Sequence, residues 1–345
     1  MRKSFVLGGK SVEPGEKKII EMHLSRLADH TEMTLTAQVI HGKKDGPVMF
    51  VSAAIHGDEI IGVEIIRRIS SLKAVNRLRG TLILVPIVNS YGFIGLSRYL
   101  PDRRDLNRVF PGNENGSLAS QLAHKFMSEI VEPAQYGIDL HSGAVHRENL
   151  HQIRAGLDDP EVLGLAEAFG AAIMLNSNLR DGSLRASARD AGCKILLFEA
   201  GEALRFNEVA IVSGVRGILN VMSSIGMLAP SKSRKPNRQP IRADSSHWLR
   251  APIGGIMRTR KKLGDRVRKG ETLAIVSDPL GNAEELVLAR ASGIVIGRTN
   301  LPVVNRGDGV YHVARVAALA DAEETLEELE QELEAESQFD DVAIV

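Results

Sequence analysis

Between residues 47 and 228 the chain alternates short, nearly unbroken apolar runs with longer segments whose apolar residues recur at helical spacing. The apolar runs are 48–54, 81–88, 136–140 and 194–198. Their lack of polar alternation predicts strands buried on both faces. Segments 60–72, 118–130, 161–169 and 207–228 predict helices. In the first of these, Ile61, Ile65, Ile66 and Ile69 fall near one face. Such alternation predicts an α/β fold, a mixed, mostly parallel sheet with helices on both faces. Residues 1–45 instead alternate polar and apolar positions, and 17–27 and 31–40 predict half-exposed antiparallel strands. A long arginine-rich loop covers 89–115. The Gly/Asn/Arg-rich stretch after 141 is assigned no element.

The pattern breaks at 231–242, which holds five basic residues and two prolines and reads as a solvated linker. Beyond it, 248–314 consists of short apolar runs between closely spaced turn signals such as Gly254-Gly255, Gly264-Asp265 and Gly307-Asp308-Gly309. That style predicts a small all-β unit. The expected organisation is a catalytic α/β domain over 1–230, a linker over 231–244, a β domain over 245–318 and an acidic tail over 319–345. In the tail Leu326, Leu329 and Leu333 keep helical spacing. A stripe of three leucines fits a short docked helix or a solvated tail, and the second is favoured.

Composition narrows the class. A 43% apolar and 25% charged chain of 345 residues is an ordinary globular protein with room for one large and one small domain. Aromatics at 4% argue against stacking platforms for single-stranded nucleic acid. The lone Cys193 excludes an intrachain disulfide and fits a reducing compartment. No apolar run reaches the length of a membrane span or a signal-peptide core. The expectation is a cytoplasmic protein acting on a small molecule, without nucleic-acid or membrane partners and with a homo-oligomer left open. Zero net charge hides an asymmetry: 11 acidic and no basic residues lie from Asp321 onward, so the preceding body is basic. A basic body suits an anionic substrate or an acidic tail folded back onto it.

Candidate chemistry gathers where the apolar runs end. His56-Gly57-Asp58-Glu59 follows the first run, His141 closes the third and Glu199 the fourth. Two histidines and a glutamate suffice to hold a catalytic zinc with one position open. A further glutamate there is a candidate base for the attacking water. The ends of parallel strands are where ligands gather in open sheets. Taken alone, His-x-x-Glu is a weak pattern; its position is what gives it weight.

Four segments resemble, in order, the motifs of the succinylglutamate desuccinylase/aspartoacylase family. They are His56-Gly57-Asp58-Glu59, Asp105-Leu106-Asn107-Arg108-Val109-Phe110-Pro111-Gly112, Asp139-Leu140-His141-Ser142-Gly143 and Phe198-Glu199-Ala200-Gly201. The resemblance spans roughly residues 40–225. It implies a zinc-carboxypeptidase-like fold and a C-terminal β domain that helps to close the cleft. It implies one Zn2+ per chain on His56, Glu59 and His141, with Glu199 as general base. Asn107 and Arg108 would hold a substrate carboxylate, and Arg98 would stabilise the oxyanion, a role worth roughly 3–4 kcal/mol in comparable sites. The implied reaction is hydrolysis of the amide of an N-acyl amino acid or a similar small carboxylate-bearing amide. The stretch between Arg98 and Asn107 is about two residues longer than in aspartoacylase, so Arg103 or Arg104 is an alternative for the oxyanion role. Tyr311 is the one late candidate for a substrate-contacting tyrosine.

Other readings stand beside these. The same metal site fits a carboxypeptidase acting on small peptides or cell-wall fragments, or a non-catalytic zinc-binding interaction protein. Asp139 is either a group that orients His141 or a buried acid. Arg108 has a structural alternative as an ion pair with Asp105 or Asp139. Glu202 is the reserve candidate for the base. His146 and His151 either face the cleft or serve structure, and His41, His124, His247 and His312 are read as structural. Residues 251–256 and 263–273 look like the repeats of biotinyl/lipoyl-type barrels. The segment 277–282, where a carrier lysine would stand, has none, so carrier function is not expected. The walls contributed by 142–190 and by the β domain decide the substrate. Further arginine there indicates a dicarboxylate, and a neutral wall indicates a small acyl group such as acetyl.

Overall fold

The computed structural model describes residues 2–26, 28–177, 179–230, 240–316 and 325–336. Among them one sheet of twelve strands runs through the molecule. Its centre is built from Arg79–Val85, Lys44–Ala53, Tyr136–Gly143, Lys194–Glu202, Arg147–Ala155 and Ile173–Asn176, in that spatial order. Neighbours pair in parallel, except that Arg147–Ala155 runs antiparallel to Lys194–Glu202. Alternate residues of a strand face opposite ways, and the core divides accordingly. Met49, Val51 and Ala53 share a buried cluster with the helices Ile61–Ser71, Pro160–Phe169 and Glu208–Ser224. Phe50 faces a second cluster with the helices Leu118–Phe126 and Leu184–Asp190. The fold is mixed α/β with helices on both faces.

Parallel pairing otherwise holds in the centre of the sheet, and antiparallel strands are added at both edges. At one edge the hairpin of Lys17–Arg26 and Glu32–His41 adds antiparallel strands. At the other, Ile241–Arg250 lies parallel to Ile173–Asn176 and is followed by Gly309–Val316, Gly293–Thr299 and Arg266–Val267, all antiparallel. A strand joined to its neighbour by a short turn can only pair antiparallel; parallel neighbours need a long crossover.

The C-terminal region is woven into this sheet. Gly293–Thr299 also pairs with the start of Arg147–Ala155, Gly297 facing Asn149. Five strands thereby close a ring: Arg147–Ala155, Ile173–Asn176, Ile241–Arg250, Gly309–Val316 and Gly293–Thr299. A second, antiparallel sheet of Glu284–Leu288, Thr272–Ser277, Gly255–Thr259 and Val303–Val304 packs over a core that includes Leu273, Val276 and Tyr311.

Of the expected linker, 231–239 lies outside the described residues, and Ile241 already belongs to the sheet. The tail differs from the favoured reading as well. Residues 325–336 form a helix with Leu326 and Leu333 buried. Leu326 joins Ile294, Ile296 and Val316 against the ring, and Arg216 pairs with Glu332 and Glu336. The stripe is narrow, but it lands on aliphatic residues of the ring, which are buried beneath it. The rest of that tail lies outside the described residues. No described helix is long and apolar enough to cross a membrane.

Candidate active site

The strand Lys44–Ala53 runs into Ala54, whose backbone is left-handed at φ 51°, a region non-glycine residues enter rarely. The amides of Val88 and Asn89 hold this turn by donating to the carbonyls of Ala53 and Ala54 at 3.0 and 2.9 Å. His56 follows. Gly57 is required next, because a Cβ there would lie 2.0 Å from the backbone carbon of Gly92. The Glu59 amide then donates to the His56 carbonyl at 3.1 Å, so the two side chains stand together. His141 arrives from the neighbouring strand Tyr136–Gly143.

His56 Nδ1 is 2.7 Å from Glu59 Oε1, and His141 Nδ1 is 2.7 Å from Glu59 Oε2. The three residues form a buried group that could hold a metal ion, one ligand atom of each lying within 4.8 Å of the others. Their outer nitrogens are also held. His56 Nε2 is 3.1 Å from Asp105 Oδ1, and His141 Nε2 is 2.7 Å from Asp139 Oδ2. Asp139 in turn accepts from Ser52 Oγ at 2.8 Å. A carboxylate on the far nitrogen fixes the tautomer and orientation of a ligating histidine. Asp139 is placed to orient His141 in this way, and Asp105, unforeseen, is placed likewise beside His56.

The electrostatics call for a cation. Asp58, Glu59, Asp105 and Asp139 crowd the two imidazoles, and Arg98 is held between Glu59 and Asp105 at 3.0 Å from each. Burial alone would raise the Glu59 carboxyl; His56 and His141 hold it far below the usual range. Burial alone would lower the His141 imidazole; Asp139 and Glu59 raise it well above the histidine range. Asp58 Oδ1 is buried without a hydrogen-bond partner among the described residues. Protons on the imidazoles, or a metal ion in their place, balance such a group. Two imidazole nitrogens and a carboxylate oxygen are a fitting donor set for zinc.

Glu199 stands opposite His141 in the strand register. Its Oε2 is 2.6 Å from Arg154 Nε, and its Oε1 accepts from Asn149 Nδ2 at 2.5 Å. Both glutamates, both histidines, Arg98, Asn107 and Arg108 line one cavity of about 290 Å³. Asn107 Oδ1 accepts from the Leu184 amide at 2.9 Å, which leaves its Nδ2 for a ligand. Arg108 donates to the Asn107 carbonyl at 2.6 Å and pairs with neither Asp105 nor Asp139 among the described residues.

Several expectations are corrected. Arg103 and Arg104 are exposed and off the cavity, Arg104 beside Asp102, so Arg98 alone of the three stands at the site. Tyr311 is fully buried in the C-terminal core, its hydroxyl donating to the carbonyls of Lys261 and Leu273, far from a substrate role. Glu202 accepts from the His146 amide and from Asn300 Nδ2 and does not line the cavity. His146 is exposed, and His151 is buried in its strand.

The sequence reading missed Arg147, Asn149, Arg154, Arg180, Arg185 and Trp248, all in the cavity wall. Arg185 is buried, and desolvation, with Arg154 beside it, brings its guanidinium down to about 10.

A mixed α/β sheet with a buried His-Glu-His group at its strand ends defines a metallohydrolase-like site. The model of the succinylglutamate desuccinylase/aspartoacylase catalytic domain matches residues 45–225, and the chain belongs to this family. It is 28% identical over 285 residues to the N-alpha-acetyl-L-2,4-diaminobutyric acid deacetylase of Halomonas elongata, a match covering 79% of this chain and 83% of that one. A succinylglutamate desuccinylase/aspartoacylase from Rhodobacter sphaeroides superposes with a TM-score of 0.78 at 25% identity, over 87% of this chain and 96% of that one. The product-bound ectoine utilization protein EutE (DoeB) from Ruegeria pomeroyi shares the fold, with a TM-score of 0.78 at 23% identity over 86% and 94%. The Halomonas relative is named as a deacetylase and the family after a desuccinylase and an acylase, which makes the chain a member of a hydrolase family.

Proposed function

We propose that this protein is a zinc-dependent amidohydrolase that removes the acyl group from a small N-acylated amino acid carrying more than one carboxylate. The observation that carries this reading is the cavity: the His56, Glu59 and His141 group opens onto a wall holding Arg98, Arg108, Arg147, Arg154, Arg180 and Arg185. Guanidinium forks suit planar carboxylates and repel cations. A substrate with a cationic side chain, such as the diaminobutyrate named for the Halomonas relative, fits this wall poorly. The cavity lies at the small end of ligand sites, which favours a small amide over a peptide.

Zinc, when bound, would polarise the amide carbonyl and make water nucleophilic at neutral pH. Glu199 would accept the proton of the attacking water and pass it to the departing nitrogen. Arg154 and Asn149 orient this carboxylate, and each of its oxygens keeps a lone pair for the proton. Arg98 would donate to the oxyanion, and Asn107 with Arg108 would hold a carboxylate of the substrate.

The test pairs metal analysis with a substrate panel. The purified protein is expected to hold about one zinc per chain and to hydrolyse N-acyl aspartates or glutamates faster than N-acetyl-diaminobutyrate. His141→Ala is expected to lose both metal and hydrolysis. A metal-loaded preparation that cleaves no acylated amino acid overturns the substrate class. Preferential cleavage of a tripeptide would instead favour the carboxypeptidase reading.

A further inference from the structure

Trp248 is the single tryptophan of the chain. It comes from the strand Ile241–Arg250, yet it stands in the wall of the active-site cavity. Its indole stacks on the His312 imidazole, with ring centroids 4.8 Å apart and planes within 6°. His312 is buried and braced by Ser246 Oγ, 2.8 Å from its Nε2. The Arg147 guanidinium lies over the same indole, its carbon 5.0 Å from the ring centroid. Two of the other cavity arginines are neutralised locally, Arg98 by Glu59 and Asp105, and Arg154 by Glu199. Arg147 pairs with no carboxylate among the described residues.

A guanidinium held over a ring is attracted by its face and keeps its in-plane N–H donors for another partner. The stack also restrains a long side chain on an exposed strand end, so less freedom is lost when an anion arrives. Arg147 and Trp248 reach the cavity from different regions of the chain, and they meet because the five-strand ring brings Ile241–Arg250 and Arg147–Ala155 together.

We infer that Trp248 is a specificity-positioning residue, holding Arg147 as the receptor for the substrate carboxylate that Asn107 and Arg108 do not take. This rests on the proposed reaction and assigns a place to the second anionic group.

The lone tryptophan lets binding be read without turnover. Succinate titrated into the metal-loaded protein is expected to change the indole emission saturably, whereas acetate at equal concentration leaves it unchanged. Arg147→Met is expected to abolish the succinate response. With the best dicarboxylic substrate of the panel, Trp248→Leu is expected to raise KM about tenfold with kcat within about twofold. Trp248→Phe, which keeps a ring under the guanidinium, is expected to recover most of that loss. An emission unmoved by saturating succinate overturns the inference. So does a Trp248→Leu enzyme whose kcat falls at unchanged KM, which would reduce Trp248 to a packing residue. If the protein hydrolyses no acylated amino acid while succinate still shifts the emission through Arg147, the site stands and the assigned reaction fails.

Discussion

Glu59 and Glu199 share one cavity, but they are held by different partners, and they are expected to fail differently. Glu59 is wedged between two imidazoles, whereas Glu199 is held by a guanidinium and an amide. Glu199→Gln preserves shape but accepts no proton. Its zinc content and KM are expected to remain near normal while kcat falls by roughly 10²–10⁴-fold. Glu59→Gln is expected to lose zinc first, because a coordinating charge is removed. Metal analysis beside steady-state kinetics of both variants decides the matter: zinc lost at 199 and kept at 59 would exchange the two roles. At this scale the sequence was informative where a functional residue interrupts an apolar run. His56, His141 and Glu199 each end such a run, so position singled them out. Asp105 and Arg98 sit in a loop with no periodic frame, and only tertiary contact shows that one carboxylate serves His56 and Arg98 together.

The element that resisted reading is the strand Arg147–Ala155. Its sequence, Arg-Glu-Asn-Leu-His-Gln-Ile-Arg-Ala, is too polar for a central strand by propensity. The polarity follows from its task, since Arg147, Asn149 and Arg154 face the cavity rather than a core. The neighbouring strand Lys194–Glu202 was legible because its apolar run is buried against helices, whereas Ile173–Asn176 on the other side was not read. The same strand ties the C-terminal region to the cavity. Gly297 of the strand Gly293–Thr299 lies opposite Asn149, and a Cβ on it would come 2.6 Å from Asn149 Oδ1. The missing side chain leaves room for the amide that grips Glu199. Gly297→Ala is expected to displace Asn149, leaving zinc content intact and lowering kcat by about ten- to a hundredfold, the usual effect of small misplacements of a catalytic group. Normal kcat in this variant would show that Asn149 does not position the base.

On the scale of the whole molecule, strands of the C-terminal region join the sheet of the α/β portion, and the helix 325–336 docks against them. The sequence pattern distinguished the α/β and all-β portions, because strand–helix alternation gives way to dense turn signals at the boundary. It could not show that their strands share a sheet, since such pairing is non-local and leaves no period. One consequence of burying so much polar strand is acid sensitivity. His151 is buried, its Nε2 has no hydrogen-bond partner among the described residues, and burial brings its imidazole down to about 4. An unfolded histidine titrates near 6.5. The folded state therefore refuses a proton that the unfolded state takes up, so this contribution to stability is full above about pH 6.5 and shrinks as pH falls towards 4. The loss attributable to His151 reaches about 3 kcal/mol at the acid end. A metal ion held by His56, Glu59 and His141 would also lose its ligands to protons in acid, so the wild-type curve alone is ambiguous. His151→Phe removes one titration and leaves the other. Urea unfolding of both proteins at pH 7.5 and 4.5 is expected to show the variant losing about 2–3 kcal/mol less than wild type. Equal losses in the two proteins would mean that His151 takes up its proton without unfolding, through solvent reaching the strand from the cavity side.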